Sequence, residues 1–153
     1  MPIETVLVVV GDEDEQRAET LARVAAEEAV PSGAEAIVGY AFTEEEFGDA
    51  VQQFGFDRSA DQLTPGDVAD RVAGVQAAHS YLEDEGVDTS VHARIGEAGP
   101  ETFVKMAESR GADRVIVGGD RRSPAGKAVF GSDAQTVLLD APCPVVYVRG
   151  DAA

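Results

Sequence analysis

Two runs rich in apolar, β-branched residues, TVLVVV at 5–10 and EAIVGYAF at 35–42, lack the polar alternation of half-exposed strands. Runs of this length and character fit strands covered on both faces. Each is followed by a stretch with helical spacing, and the alternation continues to the end of the chain. This constrains the fold more than any other feature. Repeated strand–helix–strand units imply parallel pairing through crossovers, with helices on both faces of the sheet.

The first strand stops at Gly11. Residues 12–29 read as one helix, with Asp12 and Glu15 as a capping pair and Ala18, Leu21, Ala22, Ala25 and Ala29 as the buried face. Thr43 with Glu46 predicts a short helix through Phe47, Val51 and Phe54, followed by a loop. Thr64, Pro65 and Asp67 open a long helix. Its apolar positions Val68, Val72, Val75, His79 and Leu82 recur at spacings of 4, 3, 4 and 3. His79 falls on this stripe, where a half-buried packing role outweighs a ligand role because no second metal ligand sits in register.

Val87–Gly96 alternates and predicts a third strand, with His92 solvated or at a sheet edge. Pro100 begins a helix through Phe103, Val104 and Ala107 that ends at Gly111. Asp113–Gly119 is the fourth strand. Ser132–Ala141 is a helix with Ser132 and Gln135 in S-x-x-Q capping spacing. Pro142 and Pro144 stop it, and Val145–Val148 is the last strand. The expected fold is α/β: an open five-stranded parallel sheet with helices on both faces, Rossmann-like, in a single domain over 1–153.

The chain carries 29 Asp and Glu against 12 Lys and Arg, a formal charge of -17. Its mean field repels polyanions, which excludes binding to nucleic acid or an anionic membrane through long-range attraction. Ten of the cations are Arg; only Lys105 and Lys127 are Lys. Dense carboxylates with almost no Lys fit the cytosol of a salt-in halophile, where molar salt screens repulsion over about 3 Å. An acidic mesophilic protein is the alternative. Cys143 is the single cysteine, which excludes an internal disulfide and a multi-cysteine metal site. Placed between two prolines beside an apolar run, it reads as a small packing residue. The first residues, MPIETVLVVVGDEDE, have no basic n-region, and their apolar run is too short for a signal peptide or a membrane span. A cytoplasmic location is expected.

Ligands of open α/β sheets sit beyond the carboxyl ends of the strands. Gly11, Phe42, Gly96 and Gly118 mark those ends, so the stretch VGGDRRSPAGKAVFGS at 117–132 is placed to meet a ligand. It is not a Walker loop, because Ala128 follows Gly126-Lys127 and Arg121 stands where the first glycine belongs. No G-x-G-x-x-G, H-E-x-x-H, calcium loop or G-x-S-x-G is present, so no catalytic residue is assigned. Gly118 and Gly119 allow close backbone approach. Gly131-Ser132 stands at a helix N-terminus, where free N–H groups favour an anion. Arg121, Arg122 and Lys127 locally reverse the sign of an acidic chain. The residues alone fit two readings. One is an anion-binding loop; in the other, Arg121 and Arg122 pair with surface carboxylates and Ser132 only caps its helix.

The loop and its flanks resemble the universal stress protein family, whose signature is G-x2-G-x9-G-[ST] after the fourth strand. Gly118, Gly131 and Ser132 match it, and Arg121 replaces the second glycine. VLVVV near the start, GEAGPETFVKMAESRGADRVIVGG in the middle and APCPVVYVR at the end extend the resemblance over nearly the whole chain. The family implies an adenine-nucleotide hydrolase-like fold and a role in stress response, without strong turnover. It has an ATP-binding branch and a branch that binds no nucleotide and works as a dimeric adaptor. The first branch implies a site at Val10, Ala41, Val117, Gly118, Arg121, Arg122, Gly131 and Ser132. Here Gly11 stands where that branch has a ribose-binding acid. Asp133 follows the Gly-Ser pair, so a triphosphate there needs Mg²⁺ or an Arg to offset it. No resident metal site is expected. An enzyme of the wider superfamily would carry an S-G-G-x-D-S loop after the first strand, and VGDEDE is not one. The family also implies a homodimer through the last strand, Val145, Val146, Tyr147 and Val148. That strand is short and apolar, and an uncovered apolar edge invites pairing.

Overall fold

A computed structural model describes residues 3–57, 63–96, 101–119 and 132–149. The strands are β1 (Thr5–Val9), β2 (Glu35–Phe42), β3 (Thr89–Ile95), β4 (Arg114–Gly119) and β5 (Val145–Arg149). The α-helices are α1 (Ala18–Ala29), α2 (Glu44–Gln53), α3 (Pro65–Ala69), α4 (Ala73–Asp84), α5 (Glu101–Arg110) and α6 (Ser132–Asp140). Among the described residues the five strands form one parallel sheet in the order β3-β2-β1-β4-β5. The expected fold class holds, and β5 is an edge.

β1 shows why its sequence lacks alternation. Val6 and Val8 face a layer built by α1, α2, α3 and α4, while Leu7 and Val9 face α5 and α6. All four are at most 1% exposed. The predicted face of α1 is buried in full. Leu21, with no exposed surface, contributes about 2–3 kcal/mol through burial. The start of α2 is capped as its spacing predicts: Glu46 N–H donates to Thr43 Oγ1 at 3.0 Å, and Thr43 N–H donates to Glu46 Oε1 at 2.8 Å.

Two sequence expectations are corrected. Residues 12–29 are not one α-helix, because Asp12–Arg17 form a tighter 3-10 segment before α1. The segment is capped from Gly11, whose N–H donates to Asp14 Oδ2 at 2.7 Å; the Asp12 side chain of the predicted pair lies outside the described residues. The long helix after Thr64 is two helices, because Val72 is extended (φ -71, ψ 130) and separates α3 from α4. The apolar stripe runs through the break because both pieces bury the same face, so periodicity carries no trace of it. The break lets Gly74 lie against the 3-10 segment, where a Cβ would come 3.3 Å from Glu15 Cα. His79 Nδ1 lies 3.0 Å from Asp70 Oδ1 across the break, with its side chain 19% exposed.

The amino end of β4 is tied to β1. The Asp113 carboxylate accepts Glu4 N–H at 2.9 Å and Thr5 N–H at 3.1 Å, and Asp113 N–H donates to Thr5 O at 2.8 Å. No α-helix among the described residues is long and apolar enough to cross a membrane.

Candidate functional site at the carboxyl ends of β1 and β4

β1 and β4 pair side by side only from Val6↔Arg114 to Val8↔Ile116. Beyond that point they part. Val10 N–H turns to Gly39 O on the β2 side at 3.0 Å, while β4 stays with β5 as far as Gly119↔Arg149. The chain order runs away in opposite directions from this pair of strands, which makes the crevice between their carboxyl ends the switch point where ligands of open α/β sheets bind.

The structure brings several of the predicted residues to this end of the sheet. Val10 follows β1, Ala41 is at the end of β2, and Val117 and Gly118 are at the end of β4. Val10 and Val117 are core residues, 0% and 1% exposed, on opposite faces of the sheet. Ala41 is half-buried and pairs in register with Arg94 on β3. Arg121, Arg122 and Gly131 lie outside the described residues, as do Gly126 and Lys127; Ser132 begins α6.

Sequence reasoning missed the pair that spans the crevice. In a 3-10 segment, residues three apart eclipse one another, and this brings Asp14 and Arg17 together. Arg17 Nε donates to Asp14 Oδ1, and Arg17 Nη1 donates to the Gly119 carbonyl at 2.9 Å. The other Asp14 oxygen holds Gly11 N–H. Both side chains are nearly buried, 11% exposed for Arg17 and 9% for Asp14. The D-x-x-R spacing at 14–17 is visible in the sequence, but the surrounding run DEDE hides which carboxylate turns inward.

The strand-end glycines have occupants from the chain itself. A Cβ on Gly118 would come 2.8 Å from Arg17 Cδ and 3.1 Å from Leu21 Cδ2. At Gly119 it would overlap the Tyr147 hydroxyl at 2.0 Å. Beside the crevice, between the end of β1 and the start of α4, lies a cleft of about 110 Å³ lined by Gly11, Glu15, Tyr40, Val72, Ala73 and Gly74. Ordinary ligand pockets measure roughly 300–1,000 Å³, so this cleft alone is smaller than an ordinary small-molecule site. The described residues thus place strand-end backbone groups around a crevice at the switch point of the sheet.

Two further groups are shifted in ways that follow from packing. Burial, then Arg110 and Arg94, hold His92 below the ordinary histidine value; Arg110 Nη2 lies 2.7 Å from His92 Nδ1 on the edge strand. Burial, with the Asp113 carboxylate second, raises the Cys143 thiol, in keeping with a half-buried packing residue.

Residues 2–149 match the Universal stress protein family. A universal stress protein of Mycolicibacterium smegmatis is 28% identical over 126 residues, covering 74% of this chain and 95% of that protein. The solved structure of a universal stress protein from Archaeoglobus fulgidus superposes with a TM-score of 0.67 at 27% identity, covering 97% of this chain and 99% of that one. A universal stress protein from the same organism in complex with dAMP superposes with a TM-score of 0.64 at 24% identity, covering 97% and 99% of the two chains. The match across residues 2–149, on a parallel sheet of this order, establishes that the chain belongs to the universal stress protein family.

Proposed function

We propose that this protein is a single-domain stress-response module that binds ATP or another adenine nucleotide at the carboxyl ends of β1, β2 and β4, without strong turnover. The observation that carries this reading is the parting of β1 and β4 after Val8 and Ile116, which opens a crevice at the switch point of the sheet. The dAMP complex of the Archaeoglobus fulgidus protein supports it. In this reading Gly118, Gly131 and Ser132 form the loop frame, Arg121 and Arg122 meet the phosphates, and Ala41 contacts the adenine from the end of β2. Mg²⁺ would accompany a triphosphate beside Asp133.

The test is an acid extract of the purified protein assayed for adenine nucleotide, followed by calorimetry with ATP at high salt, with and without Mg²⁺. Arg121→Ala and Arg122→Ala each weaken binding by about 1–3 kcal/mol, the range for charge-assisted contacts. Gly131→Val abolishes binding with a near-normal far-UV spectrum. Wild-type protein that carries no nucleotide and binds none overturns this reading.

A second reading, a dimeric adaptor acting through partner proteins, is favoured by the β5 edge. Val145, Val146 and Tyr147 there are only half-buried, and Leu138 and Leu139 on neighbouring α6 are 39% and 75% exposed. Antiparallel pairing of two β5 edges would cover this strip in an isologous interface. The two readings are compatible in a nucleotide-binding dimer. The charge of -17 and the scarcity of Lys support a cytoplasmic, high-salt setting in which subunit repulsion is screened. Stability that rises with KCl up to molar concentrations is the expected result, and a protein indifferent to salt overturns that setting.

A further inference from the structure

The two central strands are tied at both ends by a carboxylate that reaches across to backbone. At the amino end Asp113 does this alone, from the strand β4 itself enters, by accepting Glu4 and Thr5 N–H. At the carboxyl end the strands have already parted, and the tie is longer: Gly11 N–H to Asp14, Asp14 to Arg17, Arg17 to the Gly119 carbonyl. Every link but the ion pair is a bond to strand-end backbone, and the chain of contacts crosses the crevice from one lip to the other.

Stability alone does not account for this arrangement. A buried ion pair loses hydration on both partners, and replacing one by apolar residues is often neutral or stabilising. α1 has apolar residues at Ala18, Leu21 and Ala22 immediately beyond, all fully buried, so an apolar side chain at 17 would continue that face. What an apolar side chain cannot do is bind two groups at once. The guanidinium presents several donors in a rigid fork, and here that fork holds a carboxylate and a carbonyl on opposite lips.

We infer that the Asp14–Arg17 pair is a positioning device that holds the carboxyl ends of β1 and β4 at a fixed separation across the crevice and thereby sets its affinity for nucleotide. The inference deepens the nucleotide reading and rests on it. Arg17 and Asp14 are positioning residues: they bond to each other, and through Gly11 N–H and the Gly119 carbonyl to both lips, and they act on a ligand through the lips they space. Gly118 belongs to the same device, since a Cβ there would come 2.8 Å from Arg17 Cδ and crowd the stem.

The decisive variants are Arg17→Lys and Asp14→Asn, with Arg23→Ala as control because Arg23 pairs with exposed Glu27 at 3.3 Å on the outer face of α1. A lysine ammonium is a single point charge and cannot serve both lips. Calorimetry with ATP and carbonyl-carbon and amide-exchange NMR are run on each full-length protein. Arg17→Lys weakens ATP binding about tenfold or more, equivalent to about 1.4 kcal/mol, with an unchanged far-UV spectrum; Asp14→Asn does the same, and Arg23→Ala binds as wild type. NMR shows effects that cross the crevice. Asp14→Asn moves the Gly119 carbonyl resonance, which Asp14 does not touch, and Arg17→Lys speeds exchange of the Gly11 amide, which Arg17 does not touch. A lower melting temperature with unchanged ATP affinity in both variants overturns the inference. Wild-type protein that binds no ATP overturns the nucleotide reading instead. The spacing role is then decided by the NMR arm alone: cross-crevice effects support it and purely local ones overturn it.

Discussion

A methyl group added at Gly118 separates two explanations of that glycine, room for a ligand and room for Arg17. The added carbon would lie 2.8 Å from Arg17 Cδ, 3.1 Å from Arg17 Nε and 3.1 Å from Leu21 Cδ2. Arg17 cannot withdraw freely, because its guanidinium is held by Asp14 and the Gly119 carbonyl. Overpacking of this kind costs about 1–3 kcal/mol, less about 0.5–1 kcal/mol recovered because alanine loses less backbone entropy than glycine. Gly118→Ala should therefore destabilise by about 1–2 kcal/mol. Arg17→Ala should cost about 3 kcal/mol, the low end for breaking a buried pair, because Asp14 keeps its bond to Gly11 N–H. In the double variant the stem is gone and only the end of Leu21 must shift, so adding the methyl becomes nearly neutral. The expected coupling is about 1–2 kcal/mol, within the range for residues in contact. Urea titration at fixed high KCl is the assay, because guanidinium would itself screen the charge of -17. Additive costs, or a Gly118→Ala protein of wild-type stability that has lost ATP binding, would refute the packing account and return this glycine to the ligand.

Thr43→Ala removes the hydroxyl that accepts Glu46 N–H and should lower stability by about 1 kcal/mol; an unchanged urea midpoint would show that the cap of α2 contributes nothing. The Glu4 and then the Thr5 N–H hold the Asp113 carboxyl below its ordinary value, so the stability it adds is present above the ordinary aspartate range and lost as pH falls through the lowered value. Asp113→Asn should flatten that acid limb, and parallel acid profiles for variant and wild type would contradict the assignment. Val115 N–H donates to Pro144 O at 3.1 Å, a register that turns Val146 N–H inward to β4 and leaves Val145 N–H facing the sheet edge. Val145→Pro, at the first residue of the strand where proline is tolerated, should therefore weaken a β5-mediated dimer without unfolding the sheet. Light scattering that finds an equally stable dimer would move the interface elsewhere.

The sequence by itself determined the architecture. The continuous apolar runs of β1 and β2 require cover on both faces, and strands separated by helical stretches leave parallel pairing as the economical solution. The strand ends, and with them the end of the sheet that carries the candidate site, were legible for the same reason: hydrophobic period and glycine punctuation are local properties. The family was legible from the motif spacing, and residues 2–149 carry the family match. What only the tertiary structure decided involves partners distant in sequence. The break at Val72 is invisible to periodicity because α3 and α4 bury the same stripe. Which carboxylate of DEDE turns inward depends on where Gly119 arrives, 102 residues after Arg17. Whether Gly118 faces a ligand or an arginine stem likewise depends on the path of the 3-10 segment above it. Local sequence encodes backbone preference and the direction of burial. It does not encode which of several equivalent charges completes a contact, because that choice is made by geometry assembled from the far ends of the chain.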